Sequence, residues 1–566
     1  MANLKIVVVG GVAAGPKAAA RARRLLPNAE ITVIERGELL SYAGCGMPYY
    51  IQGKVKEINE LMNTPAGVTR DVVFFQKVKN INVLNRTLAT RIDRQAKTVE
   101  VACIDTGERQ VIPYDKLVLA TGGLPVAPPI EGNNLKRVFQ LNHPDDAQAI
   151  RDAAQSGQVR RAVIIGGGLI GLEVTEALAA QGIEVSIAEM LDYLLPNTLD
   201  VEMAAFLTKH VQAKGNQVYT SEKVLRIEAD SQGNVRQVIT DQREIEADMV
   251  LMAVGVRPNV QLAREAGLDI GSTGAIAVNQ YLQTSDPHIY AGGDCVETPD
   301  RVSGRSAFWP MGSIANRHGR VIGDNLAGRG TVFAGAVGTV VLKVFDYNVA
   351  RTGLTEKQAR SLGYEVVTSL SPSPDCAHYY PDARLVLVKL IADAKTGKLL
   401  GGQAIGPGEA VKRMDVLATA LHFGATVNHI GELDLGYSPP YSTAIDVLAH
   451  AANIIQNKLN GLANGVSPVE AKSRADQGES FVWLDVRTQK EYDQQRIDDP
   501  RVKLIPLGRL RERATELPRD QDIIIFCKSS LRAYEAQRIL QEFGFERVSF
   551  MEGGLVAWPY AVRSGA

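Results

Sequence analysis

Two cysteines stand in settings that change what a thiol can do. Cys45 lies in SYAGCGMPYY, flanked by glycines, and Cys527 opens CKSSLR directly after the apolar run DIIIF. No second cysteine is within reach of Cys45 along the chain. A redox role would therefore take it through a mixed disulfide, a persulfide or a sulfenic acid rather than an internal disulfide. Cys527 sits where a strand passes into the helical pattern AYEAQRILQEF. Backbone N–H groups converge at such a turn, and Lys528 and Arg532 add positive charge, so a thiolate or persulfide anion is favoured. Two such thiols in one chain point to sulfur passing from one to the other.

The elements around Cys45 repeat one plan. KIVVVGGVAAGPKAAARARRL followed by ITVIERG, and RAVIIGGGLIGLEVTEALAAQG followed by EVSIAEM, each read as strand, glycine turn, helix and strand ending in an acid. Each is a dinucleotide-binding βαβ unit. The second matches GxGxxG in full with Gly166, Gly168 and Gly171, and Glu189 ends its next strand. That acid can accept hydrogen bonds from a ribose diol and would repel a 2′-phosphate, which favours NADH over NADPH. In the first unit Gly10, Gly11 and Gly15 are present, Val12 replaces the middle motif glycine, and Glu35 ends the following strand. Between the units, VLNRTLATRIDRQAKTVEVAC alternates as antiparallel strands do. Asn and Gly in NIIQNKLNGLANGVSPVE mark a helix end and a linker, after which FVWLDVR, DIIIFCKSS and RVSFMEGG supply buried strands of another αβ domain.

Five cysteines at wide spacing make no secreted disulfide framework, so a reducing cytoplasm is expected. Cys103 and Cys295 read as inert, and Cys376 is left without an assigned role. The net charge of -1, with no basic block, argues against nucleic acid. No apolar stretch has the length of a signal peptide or a membrane span, and no metal-ligand spacing is found.

ATGG at Ala120–Gly123, AVGVRPN at Ala253–Asn259 and YAGGDC at Tyr290–Cys295 stand in the order of the flavoprotein disulfide reductases, which residues 1 to about 453 resemble. The resemblance implies FAD in the first nucleotide site, with Glu35 on its adenosine ribose and Asp294 on its ribityl chain, and NADH in the second. SYAGCGMPYY resembles the signature of the single-cysteine subgroup, which includes coenzyme A disulfide reductases, persulfide reductases, NADH oxidases and peroxidases. Ala13 stands where the oxidases and peroxidases carry histidine, which turns the expectation away from oxygen and peroxide. HYYPD at His378–Asp382 and GYSPPYS at Gly436–Ser442 resemble the coenzyme A branch. There Tyr379 and Tyr437 of a partner subunit would assist the leaving thiolate, implying an obligate homodimer. Arg21, Arg24 and Ser41 would hold coenzyme A, although Gly44 and Tyr42 depart from the asparagine and phenylalanine of the pattern.

LDVR at Leu484–Arg487 and GGLVAWP at Gly553–Pro559 resemble the rhodanese family. The six-residue loop Cys527–Arg532 is the length that selects sulfur over phosphate in that resemblance, with Asp485 and Arg487 as an internal ion pair.

The expected fold class is thus α/β, with two Rossmann-like FAD- and NAD-binding domains, an α+β dimerisation domain and a C-terminal rhodanese domain. The boundaries read from sequence are 1–150 with 280–329 for FAD, 151–279 for NAD, 330–453 for dimerisation, 454–465 for a linker and 466–566 for rhodanese. The expected activity is NADH-dependent reduction of persulfides or polysulfides at Cys45, with sulfane sulfur supplied through Cys527. Coenzyme A disulfide reduction and a persulfide carrier for biosynthetic partners are the alternatives.

Overall fold

Near-continuous β-branched runs such as IVVV and AVII form parallel strands buried on both faces. In the computed structural model, which describes residues 3–565, Lys5–Val9 is the middle strand of a five-stranded parallel sheet ordered Asn82–Leu84, Glu30–Ile34, Lys5–Val9, Lys116–Leu119, Ile289–Ala291. The second sheet repeats the plan, with Arg161–Ile165 between Glu184–Ala188 and Met249–Met252 and with Val138–Phe139 beyond. Each first strand has its successor on one side and a later strand on the other. That reversal opens a crevice at the strand's C-terminal end, where Gly10 and Gly166 lie. Antiparallel ribbons, Thr87–Asp93 with Thr98–Cys103 and Arg109–Pro113, and Val224–Ala229 with Val235–Thr240 and Glu244–Glu246, accompany the two sheets.

Helix Gly312–Leu326 packs on Ala14–Leu25. A Cβ on Gly323 would come 2.5 Å from Arg21 Cβ and 2.9 Å from the Ala18 carbonyl oxygen, so the close approach needs glycine there.

The chain divides into two compact units, Met1–Met190 with Glu222–Ala336, and Leu191–Ser221 with Val337–Ala566. The sequence reading placed Leu191–Ser221 with the NAD-binding residues; by packing, this segment groups with the second unit. Buried charge ties it there. Lys389, 2% exposed, lies 3.3 Å from Asp200, 3.0 Å from Glu202 and 2.7 Å from Glu356, and Gln403 donates to Asp200 at 2.6 Å. The three carboxylates outweigh the burial that would otherwise discharge the lysine, so its ammonium stays protonated.

In the second unit an antiparallel sheet runs Val340–Val344, Tyr347–Gly353, Leu399–Gly406, Leu385–Asp393, Val366–Pro374. Helix Val447–Leu459 packs on its last two strands. Residues 454–459, read from sequence as linker, are therefore the end of that helix. Gly461 turns the chain, and Asn464 is held by Gln537 and the Val548 carbonyl. A third parallel sheet follows, ordered Gly465–Val466, Val548–Met551, Asp522–Phe526, Phe481–Asp485, Val502–Leu504, with Trp483 and Phe526 fully buried.

Candidate active site

The two glycine turns are built alike. Gly10 and Gly166 have φ of +115° and +107°, and a Cβ on either would collide with the carbonyl oxygen of Ala120 or Ala253, each just past the end of the neighbouring strand. A Cβ on Gly15 or Gly171 would strike the Gly10 or Gly166 carbonyl, so each helix start sits tight on its turn. Gly168 has nothing within 4 Å of its Cβ position, leaving the mouth of the second turn open at the N-terminus of helix Leu169–Ala179. An open helix N-terminus suits a pyrophosphate. Glu35 accepts from Gly11 N at 2.7 Å and Gly37 N at 2.8 Å, and Glu189 accepts from Gly167 N at 2.6 Å. Each carboxylate is oriented by the turn it follows, in the place where an acid suits ribose hydroxyls.

Asp294 supplies a second test of cofactor fit. It is mostly buried, no described residue donates a hydrogen bond to it, and burial raises its pKa to about 6. A carboxylate left so short of donors fits a polyhydroxy chain. Above pH about 6 its charge costs flavin-free protein stability, and the cost vanishes as pH falls towards the ordinary value of 3.8. Asp294→Asn is expected to stabilise the flavin-free protein by roughly 3 kcal/mol at about pH 8 and by little near pH 4, while weakening FAD retention. Urea unfolding at the two pH values, with flavin absorbance of purified protein, measures both effects.

Cys45 sits in the turn Gly44–Gly46 before helix Met47–Gln52, with its residue exposed. A Cβ on Gly46 would collide with Leu61. The surrounding protein, then Glu173 and then Asp294, push the thiol's pKa up. Glu173, on helix Leu169–Ala179, is itself raised to about 7 by burial and by Glu176. Near neutral pH its protonation removes one of the two negative charges opposing a Cys45 thiolate.

The residues expected to hold coenzyme A belong to the same unit. Arg21 Nε is engaged by Asp324 at 2.6 Å, Arg24 is exposed, and Ser41 accepts from Arg70 at 3.2 Å. Arg70 also donates to the carbonyls of Met62 and Asn63 at 2.9 and 2.6 Å, making it the organiser of this surface. Sequence reading missed it because an arginine in TPAGVTRD has no distinguishing neighbour.

In the second unit, Tyr379 and Tyr437 are exposed and hydrogen-bonded to each other, which raises the Tyr379 pKa. Ala377 N donates to the Pro439 carbonyl at 3.1 Å, joining the two loops. Arg413, 1% exposed, donates to the Asp375 carbonyl at 2.8 Å and to Asp446 at 2.9 Å, and Asp446 also accepts from Ser442 at 3.0 Å. Arg413 and Asp446 thus brace both tyrosine loops. Cys376 is 4% exposed, and burial and Asp375 raise its pKa; this is the setting of an inert packed thiol.

Cys527 is 1% exposed and its sulfur accepts from Ser530 N at 3.2 Å. Ser530 has φ of +99°, a conformation that strains a non-glycine residue, and its hydroxyl accepts from Gly553 N at 2.6 Å. Arg532 is gripped by Glu491 through bonds of 2.8 and 2.7 Å, and this pair draws the Glu491 pKa down to about 2. The positive charge expected at the loop is therefore shared with a carboxylate, one the sequence could have revealed through the capping box Thr488–Glu491. Asp485 and Arg487 form the expected buried ion pair, at 2.6 Å.

Two nucleotide crevices, an exposed cysteine in the same unit and a second cysteine in a strand-to-helix loop define a thiol-dependent oxidoreductase joined to a sulfur-handling module. The chain belongs to the pyridine nucleotide-disulphide oxidoreductase family, whose profile matches residues 4–310; the family's dimerisation domain matches 339–449 and a rhodanese-like domain 467–560. A solved NAD-dependent persulfide reductase from A. fulgidus is 44% identical over 98% of this chain and 100% of its own, with a TM-score of 0.93. Reduced Bacillus anthracis CoADR-RHD is 37% identical over 99% and 98% of the two chains, with a TM-score of 0.91. The NAD(P)H coenzyme A polysulfide/persulfide reductase of Pyrococcus horikoshii is 36% identical over 80% of this chain and 98% of its own.

Proposed function

We propose that this chain reduces persulfides or polysulfides, coenzyme A persulfide or a related thiol persulfide foremost, to hydrosulfide and thiol at Cys45, with sulfane sulfur supplied through Cys527. The observation that carries this reading is the union in one chain of a cysteine without a disulfide partner, set in the nucleotide-binding unit, and a rhodanese-type cysteine whose sulfur is held by a loop N–H. The enzyme uses FAD, NAD(P)H and coenzyme A. The oriented Glu189 carboxylate supports NADH as the preferred nucleotide.

Cys45 thiolate attacks the thiol-bearing sulfur of the persulfide. The S–S bond breaks, hydrosulfide leaves, and a mixed disulfide between Cys45 and the thiol remains; attack on the outer sulfur would instead leave a Cys45 persulfide. FAD, when bound, supplies the relay of an electron pair from the nicotinamide to that disulfide. The pair restores Cys45 thiolate and releases the second thiolate, which takes a proton. Tyr379 and Tyr437 are assigned to that proton or hydrogen bond, contributed by the partner subunit of a homodimer; their mutual hydrogen bond, which sets the two hydroxyls side by side, supports a joint role. Gly10, Gly11, Gly15, Glu35 and Asp294 are assigned to FAD, Gly166, Gly168, Gly171 and Glu189 to the nicotinamide nucleotide, and Arg24, Ser41 and Arg21 to coenzyme A. A cytoplasmic setting belongs to this reading, since Cys45 has to return to the free thiol. Among the described residues, no helix is long and apolar enough to cross a membrane.

The test is kcat/KM with coenzyme A persulfide against coenzyme A disulfide. A preference for persulfide of about tenfold or more is expected; a preference for the disulfide would overturn the assignment.

A further inference from the structure

Glu552 lies next to the Cys527 loop yet takes no part in binding its sulfur. It is 3% exposed, an unusual place for a carboxylate. One oxygen accepts from Leu370 N at 2.8 Å, on strand Val366–Pro374, and the other accepts from Lys458 Nζ on helix Val447–Leu459. Lys458 also donates to the Thr368 carbonyl at 2.8 Å, so one buried ion pair grips that strand twice. The next residue, Gly553, donates to Ser530 Oγ, and Ser530 N donates to the Cys527 sulfur. A Cβ on Gly554 would lie 2.5 Å from the Cys527 carbonyl oxygen, so this turn and the sulfur loop are in direct contact. At its other end, strand Val366–Pro374 runs straight into Asp375–Tyr379, the loop that carries one of the paired tyrosines.

We propose that Glu552 and Lys458 are positioning residues for sulfur transfer: their clasp fixes the Cys527 loop on the strand that leads to Tyr379, so that sulfur leaves Cys527 in a set orientation towards the thiol acceptor. The inference rests on the relay from Cys527 to Cys45 proposed above. The chemistry it serves balances without another reagent. Cys527 thiolate takes sulfane sulfur from thiosulfate and releases sulfite; coenzyme A thiolate then takes that sulfur, forming coenzyme A persulfide and restoring Cys527 thiolate. A fixed geometry removes the orientational search before the second step, where misplacement by about 1 Å can cost two orders of magnitude.

Three assays on the full-length holoenzyme test the clasp: thiosulfate-to-cyanide sulfur transfer, which needs Cys527; NADH oxidation with coenzyme A persulfide, which needs Cys45; and NADH oxidation with thiosulfate and catalytic coenzyme A, which needs both. Lys458→Met and Glu552→Gln are expected to lower the third rate about tenfold with the first two within about twofold, and Lys458→Arg to restore it. Lys458→Met leaves every residue of the rhodanese domain unaltered, which keeps the test valid if Glu552→Gln fails to fold. An unchanged third rate, or a first or second rate that falls as far as the third, would overturn the positioning role. A wild-type enzyme that does not couple thiosulfate to NADH, or couples it equally well as Cys527→Ser, would instead sink the relay beneath it.

Discussion

Cys45→Ser is expected to abolish NADH-linked hydrosulfide release, to below about one thousandth of the wild-type rate, while NADH oxidation by an artificial acceptor such as ferricyanide continues. In the proposed cycle the electron pair reaches the substrate through an S–S bond that a serine hydroxyl cannot form. Cys295 is fully buried and donates to the carbonyls of Leu119 and Gly292, and Cys376 lies packed beside Asp375. The nucleotide turns do not depend on the Cys45 side chain, so electron transfer to an outer-sphere acceptor survives. Hydrosulfide trapping beside ferricyanide reduction, on the same purified protein, measures the two. Persistence of hydrosulfide release in the variant would move the chemistry elsewhere and favour the carrier reading, in which Cys527 is the working thiol.

Cys527→Ser divides the substrates. Reduction of soluble coenzyme A persulfide is expected to stay within about twofold of wild type, while thiosulfate-driven NADH oxidation is expected to fall by about a hundredfold or more. The asymmetry follows from the setting of Cys527. Its sulfur is enclosed and held by the Ser530 N–H, in a loop braced by Gly553, and the proposed relay needs that setting only for donors that load Cys527. A substrate already in the form of coenzyme A persulfide has no need of that step. Steady-state NADH oxidation with each donor is the measurement, and equal losses with both would contradict a relay.

Much of the machinery was legible because its signals are local. The glycine turns declare themselves through spacing that follows from backbone geometry. At Gly10 and Gly166 the positive φ and the neighbouring carbonyl leave room for no other residue, and any chain using this turn must show it. The Cys527 loop is similarly a run of six residues between a strand and a helix. The tyrosine loops were legible through resemblance alone, since nothing in HYYPD or GYSPPYS says that the two hydroxyls meet. The linker reading took in the last turns of helix Val447–Leu459 because the Asn and Gly after Lys458 mark that a helix ends without fixing where.

The sequence by itself determined the two nucleotide turns, the isolation of Cys45, the setting of Cys527 and the α/β alternation that places them, since each depends on residues a few positions apart. Tertiary structure decided which charges are available and which are spent. Arg21 meets Asp324 across 303 positions, Glu552 meets Leu370 across 182, and Lys389 meets Glu202 across 187. Such pairs leave no period in the chain. Only packing brings them together, and once buried, each charge requires its partner because an unpaired ion in the interior is too costly to keep.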